Sequence, residues 1–169
     1  DMYVDLDLRL RRFEQPGAAI APAAGGTPAA SGAEPPKTAA AAPVSVDEND
    51  VYERAQAQRR IGNYQGAIAA FQEFIKKYPK STLAPRAQYW IGDSYFNLRD
   101  FKSAIASQQR LVAAYPDSTS VPDALLNMAS SQLESGNNPA ARKTMDGLIA
   151  RYPASDAAEK ARRRLANPR

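Results

Sequence analysis

Neither histidine nor cysteine occurs anywhere in the 169-residue sequence, and those two absences decide most of the chemistry open to the chain. Without imidazole, the commonest general base and metal ligand are missing. Without a thiol, disulfides, thiolate metal sites and a cysteine nucleophile are excluded. Nucleophilic catalysis would need a Ser-Lys or amino-terminal arrangement, and nothing in the sequence argues for one. No phosphate-binding glycine loop, nucleophile elbow or metal-spaced ligand cluster stands out. Adjacent carboxylates such as Asp47-Glu48 suit a first helical turn, where an acid serves the helix dipole. The basic run Ala161-Arg162-Arg163-Arg164-Leu165 reads as a solvated face on a terminal capping helix. The expectation is a chain that is no enzyme and uses no cofactor or metal.

The formal charge is +4, from 22 basic and 18 acidic residues that are interspersed. A mild, mixed balance of this kind is a solvated surface and no nucleic-acid footprint. No apolar run reaches the length of about 18 residues needed to span a membrane. The first residue is Asp1, which suggests a processed or cut piece, so the compartment cannot be read from a missing signal.

Three sections with different composition must position whatever the chain presents. In residues 1–14, Tyr3, Leu6, Leu10 and Phe13 recur at three- and four-residue steps. That is the apolar stripe of a helix seeking a partner helix, expected to be the end of a coiled coil. Residues 15–46 are rich in alanine, proline and glycine, with only Glu34 and Lys37 charged. Such a stretch buries too little apolar surface to offset its ordering entropy and reads as a disordered linker. From Asp47, taken as the first N-cap, the pattern turns helical and stays so.

Tyr78-Pro79, Tyr115-Pro116 and Tyr152-Pro153 follow one another at intervals of 37 residues. Each pair ends a helix, because a helix rarely continues through the residue before proline. Ala67, Ala104 and Ala141 share one register, as do Phe74, Leu111 and Leu148, and Ile75, Val112 and Ile149. The repeated alanine fits a close helix crossing, faced by Ala55, Gly92 and Ala129. Ser81, Ser118 and Ser155 are placed to cap the helices that follow. Gly62 and Gly136 occupy the turn within a pair, where positive φ is often required, and Arg99 replaces glycine in the middle copy. Trp90, the only tryptophan, reads as packing between neighbouring repeats.

The stretch YWIGDSYFNLRDFKSAIASQQRLVAAYPDS resembles a tetratricopeptide repeat, with Ile91-Gly92, Tyr95, Phe101, Ala104 and Pro116 at the motif's spacing. The usual period is about 34 residues; three more are inserted here, near Pro85 and Pro122. The resemblance implies an all-α helical solenoid of three helix pairs, about 48–81, 85–118 and 122–155, with a capping helix at 156–166. Together with the helix end YVDLDLRL and the Ala/Pro-rich linker, the repeats resemble the YbgF/CpoB family of the Tol-Pal cell-envelope system. That resemblance implies a periplasmic, non-enzymatic adaptor of a Gram-negative bacterium, made with a signal peptide. It would bind TolA and coordinate peptidoglycan synthesis with outer-membrane constriction during cell division. It also implies an upstream coiled coil that self-associates, as a trimer, and contacts with the peptidoglycan synthase machinery.

By the same resemblance, the first helix of each pair lines the binding surface. Its inward positions are Asn49, Tyr52, Gln56, Arg59 and Arg60; then Arg86, Tyr89, Asp93, Phe96 and Asn97; then Asp123, Leu126, Ser130, Leu133 and Glu134. Exposed aromatics beside Arg and Asn suit a peptide or helix better than a small molecule. The competing function is a structural oligomer whose coiled-coil stem acts while the repeats serve as a spacer.

Overall fold

The computed structural model describes residues 45–167. The coiled-coil end expected at 1–14 and all but the last two residues of the linker expected at 15–46 lie outside them. Among the described residues there are seven helices and no strand: α1 (Val46–Arg60), α2 (Tyr64–Lys77), α3 (Ala84–Asn97), α4 (Phe101–Ala114), α5 (Val121–Glu134), α6 (Asn138–Arg151) and α7 (Asp156–Ala166). Each helix packs on the next in sequence, and α3 also meets α5 as α5 meets α7. This is the all-α solenoid, with α1, α3, α5 and α7 forming one row and α2, α4 and α6 the other.

The turns show why the repeat holds its register. Gly62 and Gly136 both have φ +81°, and Arg99 adopts φ +61° in the equivalent place. The next residue then caps the second helix: the side chains of Asn63, Asp100 and Asn137 accept from the backbone N–H three residues on. At the far end Tyr78, Tyr115 and Tyr152 are C-caps whose N–H groups donate to Phe74, Leu111 and Leu148. Proline follows each of them and ends the helix.

Two capping expectations are corrected. The first helix is capped by Ser45, not Asp47: Ser45 Oγ accepts from Glu48 N at 3.2 Å while Glu48 Oε2 accepts from Ser45 N at 2.9 Å, a reciprocal capping box. Ser155 caps α7, but Ser81 and Ser118 cap no helix. Their hydroxyls instead accept from Leu83 and Ser120, two residues on. The cause is proline. Glu159 N donates to Ser155 O at 3.2 Å, a bond that Pro85 and Pro122, in the equivalent position, cannot make. Helices α3 and α5 therefore begin three residues after their serines, with the proline in the first turn.

Ala67, Ala104 and Ala141 are fully buried, as are Phe74, Leu111 and Leu148. The buried apolar side chains nonetheless form two clusters. One joins α1 and α2 to Ala87 and Ile91 of α3; the other runs from Leu111 of α4 to Ala161 of α7. Between them, in the middle pair, lie the buried Ser94, Ser107 and Gln108. Gln108 stands one period from Phe71 and Met145 and fills the room left by Gly92, where a Cβ would lie 2.3 Å from its Nε2.

Candidate protein-binding groove

Helices α3, α5 and α7, with the near side of α6, enclose an open groove of about 1040 Å³. Phe96, Leu126, Leu133, Met145 and Leu165 supply its apolar lining. These come from α3, α5, α6 and α7, so the apolar lining runs across the row. Acidic groups line the groove from α3 and α5, as Asp93, Asp123 and Glu134; basic groups line it from α6 and α7, as Arg142, Lys160, Arg163 and Arg164.

Burial and pairing tune these charges. Asp93 lies 3.6 Å from Arg59 with only 19% of its side chain exposed. Burial pushes its carboxyl above the usual range, and Arg59 acts against that. Tyr89 is pushed up to about 12 by burial first and by the carboxylates of Asp93 and Asp123 second. Its hydroxyl therefore stays neutral at any physiological pH. Asp123 pairs with Arg86 at 3.3 Å. Among the described residues no group of acidic side chains could hold a metal ion. The arrangement is suited to covering a polypeptide, with apolar contact area and charged groups side by side along its lining.

Of the residues expected to face inward, Tyr89, Asp93, Phe96, Asp123, Leu126, Ser130, Leu133 and Glu134 do line the groove. Those of the first repeat do not. Tyr52 and Gln56 are buried at 8% and 6% exposure, a correction to the expectation of exposed aromatics there. The Tyr52 ring stands edge-on to Phe71 and Phe74, each 5.6 Å away. Its hydroxyl accepts from Trp90 Nε1 at 2.9 Å and from Gln56 Nε2 at 3.1 Å. Trp90 thus packs one repeat on the next, with the Arg59 guanidinium 3.9 Å above its ring and Arg86 at 5.1 Å. Arg59 and Arg86 stack there and pair with Asp93 and Asp123 instead of lining the groove. Asn49 and Arg60 are exposed outside the groove lining, and Asn97 holds back on Asp93 O at 2.8 Å.

The basic residues of α7 were read as a capping face, and their place in the groove was missed. The signal was a third addition of the period. Ala158 and Ala161 repeat Val121 and Ala124, and Ala84 and Ala87 before them; all six are fully buried. Helix α7 therefore continues the row of first helices. The same step carries Asp123 to Lys160, Leu126 to Arg163 and Asn127 to Arg164.

Family models described as a tetratricopeptide repeat match residues 52–119 and 123–155. The cell division coordinator CpoB of Escherichia coli (strain K12) is 55% identical over 31 residues, which make up 18% of this chain and 12% of that protein. Among solved structures, the type III secretion translocator chaperone SycD of Yersinia enterocolitica, in an alternative dimer, matches with a TM-score of 0.54. That match has 19% identity and covers 73% of this chain and 98% of the other; it speaks to fold alone.

Proposed function

This chain is a helical solenoid of tetratricopeptide repeats with a short stretch similar to CpoB, and we propose that it is a non-catalytic adaptor that captures a protein partner in the groove of α3, α5 and α7. The observation that carries this reading is the groove itself: its lining combines apolar Phe96, Leu126 and Leu133 with carboxylates from α3 and α5 and cations from α6 and α7. TolA is the partner we propose, in the periplasm of a Gram-negative bacterium, where the adaptor would coordinate peptidoglycan synthesis with outer-membrane constriction at division. Self-association as a trimer through residues preceding the repeats belongs to the same proposal. So does a linker at 15–46, from which limited proteolysis would release a stable fragment of about 47–169.

Titration with a TolA fragment tests the proposal. Tyr89 packs against the buried cluster from α4 to α7, so its truncation lowers stability as well as affinity. Phe96 belongs to neither buried cluster; it meets Phe101 edge-on at 5.6 Å. Phe96→Ala is the cleaner probe, and combined with Tyr89→Ala it should weaken TolA binding by about 2 kcal/mol or more. Unchanged affinity in a folded variant would place the site elsewhere.

A further inference from the structure

Ion pairs between neighbouring helices form a ladder along the groove, and at α7 the ladder runs out of carboxylates. Arg59 of α1 meets Asp93 of α3, and Arg86 of α3 meets Asp123 of α5. Arg86, Asp123 and Lys160 hold the same position of successive helices. Asp123 is engaged by Arg86, so Lys160 lines the groove with no ion pair among the described residues. Arg142 of α6 is in the same state. Arg164 donates to the neutral hydroxyl of Ser130, not to a carboxylate. Of the groove carboxylates, Glu134 is the one outside an ion pair among the described residues.

A segment covering this side strips water from three cations, which favours binding only if it brings carboxylates of its own. A basic segment gains little from Asp93 and Asp123, already neutralised by arginines. We infer that the groove selects an acidic amphipathic segment of its protein partner. Its apolar side chains lie on Phe96, Leu126 and Leu133, and its Asp and Glu side chains face Arg142, Lys160 and Arg164. The inference rests on the groove being the protein-binding face, and it makes α7 the electrostatic half of the site.

Two labelled peptides of one length and one apolar pattern, with either Glu or Lys at every polar position, provide the test by fluorescence anisotropy. The full chain should bind the Glu peptide at least about tenfold more tightly than the Lys peptide, with the preference falling as salt is added. Lys160→Glu with Arg164→Glu should abolish or invert it at an unchanged thermal midpoint. Should that pair lower the midpoint, Arg142→Gln with Lys160→Gln makes the same test without reversing charge near a helix end. Equal affinities, tighter binding of the Lys peptide, no binding of either, or a preference that survives the substitutions would each overturn the inference. The TolA titration separates the two readings. TolA binding that is lost in Phe96→Ala, without an acidic preference, keeps the groove and discards the charge rule. An acidic preference without TolA binding keeps the groove and its charge rule and discards TolA as the partner.

Discussion

Gln108 is fully buried, and its two amide atoms fare differently. Nε2 donates to Tyr89 O at 3.1 Å and to Asn127 Oδ1 at 3.2 Å, while Oε1 has no partner. A buried acceptor left in this state costs about 1–3 kcal/mol. Met145, one period on, shows that a methionine fits the corresponding place. Gln108→Met should therefore raise stability by about 1 kcal/mol in urea unfolding; a lower midpoint would show that the bonds to Tyr89 and Asn127 outweigh the orphaned oxygen. The sequence shows a glutamine at 108, but its burial against Gly92 was not legible there, because polarity in a repeat reads as surface. Asp93 illustrates the same limit for charge. Its carboxyl is raised on folding by burial, so it favours the folded state only when protonated. That contribution is present below the unfolded carboxylate value and is lost as pH rises through the folded one. Asp93→Asn should match the wild type in acid and become the more stable protein as pH rises through that window. A growing deficit at neutral pH would mean that the attraction of Arg59 prevails over burial.

Helix ends are where local chemistry and the period compete. Arg99 holds φ +61° at a place where the other two copies use glycine, and left-handed backbone costs an L-residue about 1–2 kcal/mol. Part of that is offset by the greater freedom of an unfolded glycine. Arg99→Gly should accordingly gain about 0.5–1 kcal/mol, read as a higher thermal midpoint; an unchanged or lower one would mean that the arginine side chain repays the strain. That turn was legible in the sequence because two glycines and an exception share one phase. The starts of α3 and α5 were legible too, from Pro85 and Pro122, but that Ser81 and Ser118 leave them uncapped was not, because serine is a good cap in isolation and the veto comes from a proline four residues later. Nor was the inward side of α7. Its arginines look like solvated charge until the buried alanines of the same helix fix its phase. Tyr52 was misread for the opposite reason: a tyrosine in the inward register can turn its ring edge-on into the core and bond its hydroxyl to a neighbour, here Trp90.

At the scale of the molecule, most packing joins each helix to its chain neighbours, and the apolar core divides at the middle pair. Stability in such a stack is close to a sum of local terms and nearest-neighbour interfaces. The two ends can then loosen separately if the polar middle is the weaker joint. The lone tryptophan sits on one side of that division. Trp90 is bonded to Tyr52 and has Arg59 and Arg86 over its ring, all within the amino-terminal half of the repeats. Its emission is consequently an optical gauge of one joint. In a urea series, tryptophan fluorescence should depart from far-ultraviolet circular dichroism, which weighs every helix equally, and Gln108→Met should draw the two curves together. Coincident curves in the unsubstituted chain would mean that the stack unfolds as one unit despite its divided core. Because the groove begins at Tyr89, whose ring lies 4.9 Å from that of Trp90, the same gauge also registers what happens at the groove's edge: a segment settling there alters the indole's surroundings, and the molecule's one intrinsic fluorophore of this kind signals its occupancy without a label.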